Sequence, residues 1–187
     1  MPPLCERCGS PGPWPVRRCA ECSGRRLAFA RARSAIVYDA RARAFVRVWK
    51  EHGRRSLAEE AAALVAQAIP RAAADLLVPV PGDPERAWKR GRVGPEDLAS
   101  HLSRAWGVPT ARLLRRERSL PRQRGLGLAE RRRNVRGSVV ATERAPPAVC
   151  VIDDVYTSGA TADACASALR LAGSRHVEVV TLARAVR

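Results

Sequence analysis

The run Val149-Cys150-Val151-Ile152-Asp153-Asp154-Val155-Tyr156-Thr157-Ser158-Gly159-Ala160-Thr161 gathers the residue types needed to hold a phosphorylated diol. Val149 to Ile152 are apolar and read as a central strand. Asp153 and Asp154 follow at its carboxyl end, where open α/β sheets place ligands. Two adjacent carboxylates can accept hydrogen bonds from a diol or hold a magnesium ion. A Thr157-Ser158-Gly159 loop then opens a helix. Its successive N–H groups, with the helix N-terminus, can cradle a phosphate. The hydroxyls of Thr157, Ser158 and Thr161 add donors. Ordinary helix capping explains a Ser or Asp at such a place. It does not explain two acids followed by Thr-x-Gly-x-Thr in one loop. The Gly-Lys pair of a Walker A loop is missing, and one glycine is too few for a dinucleotide fingerprint.

A second constellation lies at the start of the chain. Cys5-x-x-Cys8 and Cys19-x-x-Cys22 are separated by ten residues. Two thiolates at that spacing clamp one ion from a single turn, and two such turns complete a four-sulfur zinc site. Gly9 and Gly24 ease the turns around it. A disulfide pair, disfavoured in the cytoplasm, and an iron–sulfur centre are the competing readings. A closed four-thiolate site has no position for substrate, so its role is structural or for docking a partner. Cys150, inside the apolar run, and Cys165, on a helix face with Leu169, read as small core residues.

The remaining pattern supplies the elements that position these groups. Residues 1–24 carry Pro2, Pro3, Pro11, Pro13 and Pro15, show no apolar period, and make a small knuckle without a core of its own. From Ser34 onward strands and helices alternate. Ala35–Tyr38 reads as a short strand. Ala42–Ala68 is helical, with a break at His52-Gly53. Leu76–Val80 is a buried strand ended by Pro81-Gly82-Asp83-Pro84. Glu96–Trp106 is a helix, and Ala111–Leu114 a further strand. Residues 115–137 are rich in arginine and glycine. Ala148–Ile152, a helix over Ala160–Ala172 closed by Gly173, and a last strand over His176–Ala183 complete the series. Strands separated by helices predict an α/β fold with a mainly parallel sheet over residues 34–187.

The 187 residues carry a formal charge of +16. Only Lys50 and Lys89 are lysines, so arginine supplies nearly all of the positive charge. Four thiolates on one zinc would bring the net charge to about +14. The surplus suits a polyanionic partner. A generally basic surface is the alternative, since the arginines are scattered apart from a concentration over Arg112–Arg136. Hydrophobic residues make up 46% of the chain, enough for a domain-sized core. No apolar stretch is long enough to span a membrane, and the start MPPLCERCGS has no secretory signal pattern. A cytoplasmic protein without membrane insertion is expected.

The thirteen-residue run resembles the phosphoribosyl-pyrophosphate (PRPP) signature of type I phosphoribosyltransferases. Nearly the whole chain resembles the ComF family, which joins a zinc knuckle to a phosphoribosyltransferase domain. Trp49-Lys50-Glu51-His52-Gly53 sits where that family has Lys-Tyr-x-Gly, with Glu51 where tyrosine is favoured. Val78-Pro79-Val80-Pro81 matches its Val-Pro-Val-Pro strand end. Arg90-Gly91 with Glu96, Leu98 and Ala99 matches the Arg-Gly-Phe-Asn-Gln segment and its helix. Leu114-Arg115-Arg116, Gln123, Glu130-Arg131, Asn134-Val135 and Gly137 match a later segment, and Val180-Thr181-Leu182-Ala183-Arg184 the ending. The resemblance implies that Asp153 and Asp154 take the ribose hydroxyls and act in catalysis. It implies that Val155, Tyr156, Thr157, Ser158, Gly159, Ala160 and Thr161 take the 5′-phosphate. It places the pyrophosphate loop at Val80, Pro81, Gly82 and Asp83 with Lys89 and Arg90, and it implies Mg2+ with PRPP. Arg86, Arg122 and Arg124 are further candidate cations for the leaving group, with a surface role as the alternative for each. Two departures stand out: Arg92-Val93-Gly94-Pro95 replaces Phe-Asn-Gln-Ala in a hood over the active site. Thr157 stands where hypoxanthine-type enzymes carry an acid. The resemblance is compatible with three functions: phosphoribosyl transfer to some acceptor, handling of single-stranded DNA beside a helicase-like partner in natural competence, and docking through the zinc knuckle.

Overall fold

The computed structural model describes residues 3–52, 56–82, 94–117 and 138–186. In chain order the elements are β1 (Arg31–Val37), α1 (Ala40–His52), α2 (Ser56–Ala68), β2 (Leu76–Pro79), α3 (Pro95–Trp106), β3 (Leu114–Arg116), β4 (Val139–Ala141), β5 (Ala148–Tyr156), α4 (Ala160–Leu171) and β6 (His176–Arg184). Four strands form one sheet in the order β1-β6-β5-β2. All its pairings are parallel. The alternation of strands and helices in the sequence therefore gives the expected mainly parallel sheet flanked by helices.

Local chemistry accounts for the helix ends. Asp39 caps α1: its Oδ1 accepts the Ala42 N–H at 2.8 Å and its carbonyl the Arg43 N–H at 2.9 Å. Helix α3 starts on Pro95, carries Glu96 and Asp97 in its first turn, and ends on a left-handed Gly107. Helix α1 ends at His52 and α2 starts at Ser56, while Gly53 of the break expected at His52-Gly53 lies outside the described residues.

Two apolar layers cover the sheet. Trp49 of α1, Val65 of α2 and Leu98 and Leu102 of α3 pack on one face with Cys150, Ile152 and Leu182. Cys165 and Leu169 of α4, Phe29 and three of the four knuckle cysteines pack on the other with Val149, Val151, Val177 and Val179. The knuckle thus shares the core of the sheet rather than standing apart. Cys150 and Cys165 are fully buried, and burial pushes both thiols up. Gly9 is what lets the knuckle come this close. Its φ is 71°, and an added Cβ would lie 2.6 Å from the Ala32 carbonyl oxygen.

One expectation needs correction. The strand read at Ala111–Leu114 is shifted to Leu114–Arg116, and it is not in the parallel sheet. It pairs antiparallel with Val139–Ala141 in a separate two-stranded ribbon. The segment before it instead runs along β2, where Leu77 donates to Pro109 O and Ala111 N donates to Leu77 O. Strand β5 is also longer than its apolar run, since Asp153 to Tyr156 continue it.

Candidate functional site

A cavity of about 550 Å³ opens at the carboxyl ends of the parallel strands. Asp153, Asp154 and Val155 reach it from β5, Thr157 and Thr161 from the loop and first turn of α4. Val80 follows β2, Tyr38 follows β1, and Arg116 comes from the ribbon. Arg43, Val46, Arg47 and Lys50 come from α1. The spacing of Arg43, Arg47 and Lys50 puts all three on one face of that helix. The neighbouring Trp49, fully buried, fixes that face toward the cavity. This cationic face was legible as an i, i+4, i+7 pattern and was not read from the sequence.

The two acids are held differently. Asp153 Oδ1 accepts the Asp154 N–H at 2.9 Å, and Asp154 Oδ1 accepts the Val155 N–H at 2.8 Å. Lys50 forms an ion pair with Asp154 Oδ2. Burial, reinforced by the Asp154 charge, holds the Asp153 carboxyl well above the usual carboxylate range. The pair is therefore short of positive charge or hydrogen-bond donors, and a diol or a divalent cation would supply either.

Past the acids, Gly159 turns the chain into α4 with φ 72°. Asp163 N–H donates to Gly159 O at 2.9 Å, the first bond of the helix, and Ala160 N–H donates to Ser158 Oγ at 3.3 Å. The next N–H groups of the first turn have no partner within the helix and point out of its N-terminus. Gly159 has no alternative here: an added Cβ would lie 2.2 Å from the Tyr156 hydroxyl. The Tyr156 side chain does not line the cavity. It is buried on the knuckle side, edge-on to Phe29 at 6.4 Å between centroids, with the Arg184 guanidinium 4.5 Å from its ring centre.

Of the residues expected to hold pyrophosphate, Val80 lines the cavity. Pro81 O accepts the Arg116 Nε–H at 3.1 Å, which ties the ribbon to the end of β2. Gly82 follows. Asp83, Lys89 and Arg90 lie outside the described residues, as do Arg86, Arg122, Arg124 and most of Arg112–Arg136. Within the described part of that segment, Arg112 pairs with Glu96 at 2.9 Å and Arg115 with Glu117 at 3.6 Å.

The four cysteines converge as their spacing suggested. Their sulfurs all lie within 4.8 Å of one another. Cys8 and Cys19 are 3.4 Å apart, Cys5 and Cys22 3.7 Å, and Cys19 and Cys22 3.9 Å. Zinc held tetrahedrally at about 2.3 Å sets its sulfurs about 3.8 Å apart. A disulfide needs about 2.05 Å, and all four thiols are free. The donor set fits zinc, and Cys5, Cys8, Cys19 and Cys22 could hold the ion. Burial opposes ionisation of Cys5, yet the N–H groups of Cys8, Cys19 and Arg7 outweigh it and bring that thiol down to about 7. Burial pushes Cys22 up to about 11.

Four hydrogen bonds join the knuckle and the segment that follows it to β6, to the loop before α4 and to α4 itself, and the sequence pattern shows none of them. Arg184 donates to Cys8 O and to Glu21 Oε2, each at 2.6 Å. Arg25 donates to Ser158 O at 3.1 Å. Ala28 N–H donates to Asp163 Oδ1 at 2.7 Å. Arg25 sits directly on the carbonyl of the loop that opens α4.

Among known proteins, competence protein F of Haemophilus influenzae (strain ATCC 51907 / DSM 11121 / KW20 / Rd) is 32% identical over 116 residues, covering 59% of this chain and 51% of that protein. The chain thus spans about half the length of the curated relative it matches. This similarity bears out the resemblance to the ComF family. No family model matches the chain. Among solved structures, glutamine PRPP amidotransferase from B. subtilis, complexed with ADP and GMP, is similar with a TM-score of 0.48 and 23% identity, over 68% of this chain and 26% of that one. Purine phosphoribosyltransferase from Pyrococcus horikoshii Ot3 is similar with a TM-score of 0.42 and 15% identity, over 69% of this chain and 73% of that one. No helix among the described residues is long and apolar enough to cross a membrane.

Proposed function

We propose that the cavity binds PRPP or a related phosphoribosyl ligand together with Mg2+. The observation that carries this reading is the convergence of Asp153 and Asp154 with Thr157 and Thr161 on one cavity, at the N-terminus of α4 and under the cationic face of α1. The acids suit the ribose diol, or a magnesium ion shared with it. The loop and helix terminus suit the 5′-phosphate. Lys50 neutralises Asp154 in the free protein, so the ligand or its metal takes over that carboxylate when it binds. The same cavity suits transfer of the phosphoribosyl group. Departure of pyrophosphate from ribose C1 leaves an oxocarbenium-like centre and a polyanion, and preorganised cations stabilise the second. Arg43, Arg47, Lys50 and Arg116 are those cations among the described residues. Cys5, Cys8, Cys19 and Cys22 hold a structural zinc in this reading.

Isothermal titration of PRPP with and without Mg2+ tests the proposal. The wild type should bind, more tightly with Mg2+. Asp154→Asn should lose roughly tenfold in affinity, equal to about 1.4 kcal/mol. No binding under either condition, or equal affinity of the two proteins, would sink the assignment.

A further inference from the structure

A second cavity, of about 690 Å³, lies between the cysteine knuckle and β1. Its walls carry Arg7, Arg17, Arg18, Arg31 and Arg33, and Glu6 is the single acid on them. It is separate from the cavity described above. Arg31 begins β1 and Tyr38, which lines the first cavity, follows the end of that strand. Seven residues of strand place them roughly 20 Å apart.

The partners of these arginines leave the cleft short of negative charge. Of these five, Arg31 alone is paired with a carboxylate among the described residues, Glu178, at 3.0 Å. Arg33 donates to Ala32 O at 2.8 Å, Glu6 O at 3.0 Å and Cys5 O at 3.4 Å. Arg7 donates to Leu27 O at 2.7 Å and Arg18 to Arg25 O at 3.0 Å. The Arg17 side chain makes no hydrogen bond or ion pair among the described residues, and its carbonyl accepts from Cys5 Sγ at 3.7 Å. Main-chain carbonyls fix where a guanidinium points, but they do not neutralise it. Guanidiniums that main-chain carbonyls orient, and that make no ion pair with a carboxylate among the described residues, form a site prepared for an anion. The planar fork of arginine matches phosphate oxygens in pairs.

We propose that this cleft is a second anion site, taking a ligand with several phosphate charges, either a nucleic-acid strand or a free polyphosphate. It stands or falls independently of the phosphoribosyl reading, since it shares no residue with that cavity.

The test uses the full zinc-loaded chain and two probes: a short fluorescein-labelled oligothymidylate followed by anisotropy, and inorganic tripolyphosphate followed by calorimetry. Arg17 and Arg18 are both exposed, so the Arg17→Glu/Arg18→Glu double variant should fold. Arg31→Ala, on β1 and beyond the cysteine knuckle in the chain, is read beside it in case zinc content falls. Arg71→Glu/Arg144→Glu, at exposed positions elsewhere, carries the same change in net charge. Affinity should fall roughly tenfold or more in the cleft variants and stay within about twofold in the distant pair. For the oligonucleotide, loss of two phosphate contacts should also lower the salt slope by roughly 1.4 between about 50 and 200 mM salt. Loss of oligonucleotide binding in the cleft variants identifies the strand as ligand. Loss confined to tripolyphosphate identifies a free polyphosphate. Equal weakening in the distant pair, unchanged affinity in the cleft variants, or no binding of either probe to the wild type would overturn the proposal.

Discussion

Arg184 joins the last strand of the sheet to the cysteine knuckle, and Arg184→Met asks how much that junction stabilises the fold. The side chain is 3% exposed. It donates to Glu21 Oε2 and Cys8 O at 2.6 Å each and lies 4.5 Å from the Tyr156 ring centre. Methionine keeps most of the contact with that ring. It removes both charged hydrogen bonds and leaves the Cys8 carbonyl without its donor. An unsatisfied buried acceptor costs about 1–3 kcal/mol, and a hydrogen bond to a charged group contributes about 1.5–3 kcal/mol. Glu21 is partly open to water and recovers some solvation, which puts the total near the low end of the range for breaking a buried pair, about 3 kcal/mol. With a guanidinium slope of about 5 kcal/mol/M for a chain of this size, the unfolding midpoint of the zinc-loaded protein should fall by about 0.6 M. Arg175→Met, at an exposed position, should leave it unchanged within about 0.5 kcal/mol. A fall of less than about 0.2 M for Arg184→Met would refute the reasoning, because it would mean the knuckle is not held to β6 through this residue.

Asp153 gives a pH signature. Its folded pKa lies above the ordinary aspartate value, so the folded chain holds a proton that the unfolded chain releases. This group therefore favours folding at low pH, and that contribution is lost as pH rises from the ordinary value through the raised one. Asp153→Asn should flatten the dependence and make the ligand-free chain more stable near neutral pH. Thermal unfolding at about pH 5 and about pH 8 reads the difference, and a variant as pH-dependent as the wild type would contradict the assignment. Gly159→Ala forces a left-handed residue and a clash with the Tyr156 hydroxyl. It should cost about 1–3 kcal/mol and weaken phosphate binding at the loop, measured by denaturation and by titration of PRPP; an unperturbed variant would show that the turn adapts. Metal analysis of the purified chain should find one zinc, and Cys8→Ser should lose it and lower the thermal midpoint. A variant that retains a tightly bound zinc would exclude the four-thiolate assignment.

What the sequence made legible depended on distance along the chain. The acids, the Thr-Ser-Gly turn and α4 sit within one short segment, and each CxxC pair is a single turn, so their spacing carried the information. The ribbon was misread because Leu114–Arg116 becomes a strand only by pairing with Val139–Ala141, a partner far along the chain. Ala111–Leu114, with Leu113 and Leu114 adjacent, looked like the better strand, but its neighbourhood is set by β2. Arg184 was equally hidden. Nothing in the residues around it marks Arg184 as buried; Glu21 and Cys8, at the other end of the chain, make it so.

The way two consecutive aspartates come to face one cavity also requires the tertiary structure. In a regular strand they would point to opposite faces. Through Ile152 the alternation of β5 is regular: Val149 and Val151 pack with α4, Cys150 and Ile152 with α1–α3. After the acids it is displaced by one residue, because Val155 packs on the α1–α3 side and Tyr156 on the α4 side. Strand β6 changes phase at the same level, with Leu182 and Ala183 both on the α1–α3 side and Arg184 turned to the knuckle. A single shift of phase in two neighbouring strands therefore has two consequences. It lets Asp153 and Asp154 line the same cavity, and it sends Tyr156 and Arg184 together to the opposite side, where they stack beneath Gly159. The acids that would hold a ribose and the packing that holds the phosphate loop against the knuckle thus depend on one irregularity. A change that restores strict alternation there should disturb both at once.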